Sequence, residues 1–225
     1  MKFLPNLTRK EMKYGLITML VCMLLLPPVL SLALPGWSAG RLNFTAYFIT
    51  AGAAVYVLRR YLLQNLKIAV SHPFYCVYYA VLSYLGYMVF TELVTNIVYT
   101  AAPGFVNLNN ENVTAMLDSE FGLMAFTTVV LAPIAEECLF RGLLLRGVYD
   151  RSPVLAWVLS VGLFAAIHVT GFIRSYAPLE LLLAFVQYLP AGIALCFAYR
   201  RGGSIFSPIL THAIVNSMAV LSVTR

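Results

Sequence analysis

Long apolar stretches recur along this chain, each about the length of a helix that crosses a bilayer and each closed by proline, glycine, paired arginines or a polar run. A spanning helix needs about 20 mainly apolar residues, within a range of about 17–25. Seven stretches meet that length: 14–34, 42–58, 74–91, 121–145, 153–170, 178–199 and 204–222. Breaks fall at Pro27-Pro28 and Pro35-Gly36, Arg59-Arg60, Ser71-His72-Pro73, the polar stretch 103–119, Asp150 to Pro153, Gly171 to Pro178, and Arg200 to Gly203. Backbone polar groups in hydrocarbon must be satisfied within their own segment, so helices are the expected element. The expected fold class is all-α, a polytopic transmembrane helix bundle of about seven to eight spans. Segment 61–70 mixes polar and apolar residues and is expected to lie along the interface.

Composition narrows the function classes. Apolar and aromatic residues make up 61% of the 225, charged residues only 11%, and the mean hydropathy is +0.83. Soluble domains carry about 25% charged residues, and a soluble core of this size could not hide so much apolar surface. The net charge of +6 does not indicate nucleic-acid binding, because its placement follows the membrane. With a cytoplasmic N-terminus and seven alternating spans, the inside holds Lys2, Arg9, Lys10, Lys13, Arg59, Arg60, Lys67, Arg141, Arg146, Arg151, Arg200 and Arg201. The outside holds Arg41, Arg174 and Arg225. That is 12 against 3, the asymmetry that the positive-inside rule expects. The outer loop 92–120 has no Lys or Arg and carries Glu92, Glu111, Asp118 and Glu120. An alternative reading takes residues 1–34 as a signal peptide, but the apolar run is about twice the usual length of such a core.

Cys22, Cys76, Cys138 and Cys196 fall inside expected spans without metal spacing or a secreted framework, and read as small core residues. No internal repeat or linker divides the chain, so residues 1–225 are expected to form a single membrane domain.

Ionisable groups within a span are costly, and each is a functional candidate. Glu136 and Glu137 lie side by side in the fourth span, in Ala135-Glu136-Glu137-Cys138-Leu139-Phe140-Arg141. Glu137 can pair with Arg141 one turn on, while Glu136 points about 100° away and has no neutralising neighbour at helical spacing. His168 ends the fifth span, one turn after Phe164. His212 and Asn216 share one stripe of the seventh span. Taken singly, Glu137 and Arg141 could be a structural cluster, and His212 with Asn216 could be interhelical hydrogen-bonding glue. Together, a carboxylate, two imidazoles and an amide can activate water and hold an oxyanion, the two needs of peptide hydrolysis. Counting from Asp150 and Gly202, Glu136, His168 and His212 would sit about 21, 27 and 15 Å up their helices, a spread of about 12 Å that tilt or unequal loop depths would have to close.

In order, Glu136-Glu137-x-x-x-Arg141, Phe164-x-x-x-His168 and His212-x-x-x-Asn216 resemble the three motifs of the CPBP membrane proteases, the Abi family of CAAX proteases and bacteriocin-processing enzymes, which includes type II CAAX prenyl endopeptidases. The resemblance covers 121–222, and the spans of 1–120 share only their hydrophobicity. It implies a catalytic core in which Glu136 and His168 activate the attacking water, His212 and Asn216 form the oxyanion hole, and Glu137, Arg141 and Phe164 support the site. It also implies eight spans, one more than the seven read from the sequence. The implied activity is intramembrane endopeptidase cleavage of a membrane-associated peptide or protein, such as a CAAX-type, bacteriocin or signal-peptide precursor. Glu136, His168 and His212 would equally make a His₂Glu zinc set with one open position. The chain lacks the His-Glu-x-x-His zinc helix, so a metal-free glutamate mechanism without cofactor is expected and zinc is the alternative.

Two rival functions share these residues. One is a non-catalytic bacteriocin-immunity or scaffold membrane protein. The other is a small transporter using the acid and histidines as a proton path, although the two halves show none of the pairing of transporter repeats. Sequons at Asn6, Asn43 and Asn112 read as chance. The expected setting is a multi-pass protein of a bacterial plasma membrane.

Overall fold

A computed structural model describes residues 6–223. Among these it forms nine helices: α1 (Arg9–Ala33), α2 (Ala39–Val57), α3 (Arg59–Ser71), α4 (Pro73–Ala101), α5 (Leu108–Ser119), α6 (Phe121–Tyr149), α7 (Pro153–Thr170), α8 (Pro178–Gly202) and α9 (Phe206–Val223). Six of them, α1, α4, α6, α7, α8 and α9, are long and apolar enough to cross a membrane. The seventh expected span, 42–58, is the helix α2 (Ala39–Val57), which carries Arg41 and Asn43 in its first turns and is not among those six. Thr50 and three alanines of α2 are buried, so this helix packs through small side chains where protein covers it.

Three sequence boundaries require correction. Pro27-Pro28 does not end the first helix. A π-type turn, Val21–Leu25, precedes it, and the prolines sit in the first turn of the segment that follows, where a missing N–H costs little. The fourth helix does not stop at residue 91 but runs to Ala101. Asn96 and Thr100 return their side chains to the carbonyls one turn earlier and so remain compatible with the helix. The polar stretch 103–119 is largely helical too, as α5, which is capped by the Asn107 side chain accepting from the Asn110 N–H.

Helix starts follow ordinary capping chemistry. Thr8 and Glu11 form a reciprocal capping box at α1, and Ser38 and Ser152 cap α2 and α7. The α8 helix ends on Gly203 at φ 73°, a left-handed position natural to glycine. Close approaches need small residues as well: a Cβ on Gly15 would stand 2.8 Å from a Leu143 methyl carbon, so Gly15 lets α1 lie against α6.

The interior centres on α6, whose Ala135, Cys138, Leu139, Phe140, Leu143 and Leu145 are buried. Cys76, Cys138 and Cys196 are buried, Cys22 is half-buried and all four are free. The outward faces of α1 and α4 carry rows of exposed leucine, valine, tyrosine and phenylalanine, the surface that lipid would cover.

The short helix α3 has a specific role. It lies across one end of the bundle with Tyr61 and Asn65 fully buried. Tyr61 shares a 2.6 Å hydrogen bond with the Tyr199 hydroxyl, and burial pushes the Tyr61 phenol well above its usual range. Asn65 accepts from the Ile205 N–H at 2.8 Å, and its carbonyl accepts from the Ser204 hydroxyl at 2.9 Å. The α8–α9 turn therefore lies beneath α3, with Ser204 and Ile205 fully buried. At the same end, Glu11 accepts from Arg60 and from the Tyr61 N–H, and Arg200 donates to the Tyr149 hydroxyl.

Candidate active site

Glu136 and Glu137 lie between two π-type stretches of α6, Thr127–Leu131 and Cys138–Arg146. Irregular turns of this kind re-aim side chains and concentrate at functional sites. Both acids are buried, Glu136 at 4% exposure and Glu137 at 0%. Their surroundings differ, as the 100° offset requires.

Glu137 is held by charge. Its Oε1 accepts from the Arg141 guanidinium at 2.9 Å and from His212 Nδ1 at 2.9 Å. Arg141, also fully buried, donates to the Gly192 carbonyl at 3.1 Å and lies over the Phe164 ring, 4.5 Å from its centroid. Arg141 thus belongs to the interior rather than to the cytoplasmic loops where the charge count placed it. A buried ion pair needs such additional partners, because Coulomb attraction alone barely offsets desolvation.

Glu136 faces the two imidazoles. Its Oε1 accepts from the Tyr47 hydroxyl at 2.8 Å. Its Oε2 has no hydrogen-bond partner within the protein and stands 3.8 Å from His168 Nε2 and 4.0 Å from His212 Nε2. The far side of each ring fixes its orientation. His168 Nδ1 lies 2.8 Å from the Phe164 carbonyl, which can only accept, so Nδ1 carries the hydrogen. The ring is sandwiched between Phe164, at 4.6 Å, and Tyr188, at 4.4 Å. His212 Nδ1 donates to the Glu137 carboxylate. Both Nε2 atoms are thereby turned toward the same carboxylate oxygen.

The 12 Å spread in depth, which helix counting gave for the three groups, is therefore absent. The α8–α9 turn that precedes His212 is buried under α3 rather than lying at the bundle surface, as the helix count had taken it.

Asn216 has a local partner. Its amide donates to the Thr128 carbonyl of α6 at 2.7 Å. That carbonyl is open for a reason. Within the π-type turn the Ala132 N–H goes to Thr127, and the next N–H, at position 133, is missing because Pro133 has none. Asn216 thus makes the interhelical bond weighed for it from sequence, and it also lines the same cavity as Glu136, His168 and His212. That cavity holds about 440 Å³ and runs from these groups toward α5.

Tyr47, Tyr188 and the Gly192 carbonyl were not singled out from sequence. Tyr47 and Tyr188 are two among 14 tyrosines in an apolar chain, and nothing in their spacing marks them.

As a zinc site the set is of the right chemistry but loosely spaced. Ligands about 2.0–2.1 Å from a tetrahedral zinc lie about 3.4 Å apart, against 3.8 and 4.0 Å here. Among the described residues, no group of three or more His, Cys, Asp or Glu is arranged to hold a metal ion.

Fold and site together define a polytopic helical membrane protein with a buried acid–imidazole centre. In comparison with known proteins, residues 118–218 match the family model described as Rce1-like, type II CAAX prenyl endopeptidase, in agreement with the motif resemblance. A Bacillus subtilis (strain 168) protein named "Putative membrane peptidase YdiL" is 28% identical over 119 residues, 52% of this chain and 44% of that protein. An Escherichia coli protein named "Uncharacterized 24.3 kDa protein" is 28% identical over 99 residues, 44% of this chain and 43% of its own length. Each alignment spans under half of the curated relative. No solved structure matches.

Proposed function

We propose that this chain is an intramembrane endopeptidase that cleaves a membrane-associated peptide or protein with a water activated by Glu136 and His168. The observation that carries this reading is the convergence of His168 Nε2 and His212 Nε2 on Glu136 Oε2, an oxygen without a partner in the protein. Polar atoms 3.8–4.0 Å apart are too far for a direct hydrogen bond but leave room for one small polar molecule at bonding distance from each.

A water there donates one hydrogen to Glu136 Oε2 and the other to the unprotonated Nε2 of His168. Glu136 takes the proton as the water oxygen attacks the scissile carbonyl carbon. Negative charge then grows on the carbonyl oxygen. The His212 ring, oriented through Nδ1 by the Glu137 carboxylate, is the donor to that oxygen when Nε2 carries a hydrogen. The Asn216 amide adds a further donor. The C–N bond breaks, Glu136 returns its proton to the departing nitrogen, and a carboxylic acid and an amine leave, the acid then passing its proton to the amine. Tyr47 holds Glu136 through its other oxygen and leaves Oε2 free for this exchange. No step requires a metal ion.

Glu136→Gln keeps the Tyr47 contact and removes the base. Peptides from cells carrying this variant, compared with wild type, are expected to include an uncleaved precursor. Loss of a general base lowers rates by about 10²–10⁴-fold. An identical peptide profile in the two strains would reject the protease reading in favour of a scaffold or immunity role. Purified protein is expected to retain activity in a tight chelator, whereas loss that zinc restores would replace the metal-free mechanism by the zinc alternative.

A further inference from the structure

The direction in which the cavity opens adds a second conclusion, which rests on the protease reading for its substrate but not for its orientation. The bundle has two unlike ends. One gathers the start of α1, helix α3, the end of α6 and the end of α8, linked by Glu11–Arg60, Tyr61–Tyr199 and Arg200–Tyr149. Arg9, Lys10, Lys13, Arg59, Arg60, Lys67, Arg146, Arg151, Arg200 and Arg201 belong to those segments. The other end gathers the start of α2, the end of α4, α5, and the starts of α6 and α8, linked by Arg41–Glu120 and by Asn107 bonded to Gln187 and Tyr188. Among the described residues its cations are Arg41 and Arg174, against Glu92, Glu111, Asp118, Glu120 and Glu180.

The cavity lies wholly toward this second end. Beyond the catalytic groups its walls include Asn43, Thr95, Asn110, Asn112, Gln187 and Ser222, and Asn110, Asn112 and Ser222 are exposed at its mouth. Carboxamides and hydroxyls pair with both the N–H and the C=O of a peptide chain, and Glu136 is the one carboxylate among the lining residues. Cytoplasmic loops carry the excess of Lys and Arg, which assigns the first end to the cytoplasm.

We propose that the site opens on the non-cytoplasmic side of the membrane and that its substrate is a peptide segment presented from that side. The lining amides hold the backbone of an uncharged stretch as it descends to Glu136. At the cytoplasmic end, by contrast, the Ser204–Ile205 turn is buried beneath α3.

Single-cysteine labelling tests the orientation. In a Cys22→Ser background, Cys76, Cys138 and Cys196 are buried and give a low blank. Asn110→Cys and Asn112→Cys are expected to react with a membrane-impermeant maleimide on intact cells. Arg151→Cys, exposed at the opposite end, is expected to react only after permeabilisation. The reverse pattern, or equal labelling of both ends in intact cells, overturns the proposal. Two mouth positions are used so that a misfolded variant does not decide the result.

The substrate half is tested by blocking the mouth. A bulky maleimide on Asn112→Cys in intact cells is expected to stop cleavage of the precursor that accumulates with Glu136→Gln. Undiminished cleavage overturns that half. Should Glu136→Gln accumulate nothing, the protease reading and the substrate half fall together, while the labelling still decides the orientation.

Discussion

At the scale of single residues, the two adjacent acids divide their work through what each touches. Glu137 is neutralised by Arg141 and held to His212, so removing Arg141 strands a buried charge. Arg141→Met is expected to destabilise the protein by about 3–5 kcal/mol, seen as a lowered melting temperature in detergent, with Glu137→Gln/Arg141→Met recovering part of the loss. An unchanged melting temperature would mean that the pair contributes no stability. Tyr47→Phe removes the hydroxyl that holds Glu136 Oε1. The expected result is a fall in kcat of about tenfold, equivalent to about 1.4 kcal/mol, with KM and melting temperature unchanged. Glu136, Glu137, Arg141, His168, His212 and Asn216 were legible because charge and amide are rare in apolar spans. Tyr47 was not, because it is one of 14 tyrosines and only tertiary packing brings it to Glu136.

At the scale of elements, the buried start of α9 and the irregularity of α6 place His212 and Glu136. Asn65→Ala leaves the buried Ile205 N–H without its acceptor, at a cost of about 1–3 kcal/mol. It is also expected to lower activity, because α9 carries His212. Activity unaffected by Asn65→Ala would show that α3 does not set the level of that helix. Pro133→Ala acts in the opposite sense: it supplies the missing N–H, competes for the Thr128 carbonyl and frees the Asn216 amide. The expected outcome is a melting temperature equal to or above wild type with slower hydrolysis. The sequence displayed six of the long helices closely, but hydrophobic windows ended α4 early and read α5 as a loop. Side chains that bond to their own helix, such as Asn96 and Thr100, make a polar segment helical without making it apolar. The π-type turns left no periodic signature at all.

At the scale of the whole molecule, the family match covers 118–218, yet one wall of the cavity comes from α2, α4 and α5. Residues 118–223 expressed alone are therefore expected to show no hydrolysis, lacking Tyr47 and that wall, and co-expressed residues 1–117 are expected to restore it. Activity of the isolated segment would assign the N-terminal helices to anchoring only. The division at about residue 120 was readable from motifs, whereas the dependence of one part on the other was not, since it runs through Tyr47, Asn65 and Asn107. Because a thirteen-residue surface helix pins the start of the last span, the level of the chemistry in the bilayer is adjustable from outside the motifs. A change in α3 that raised or lowered that pin would move His212 along the membrane normal and shift the proposed chemistry while every motif residue stayed the same.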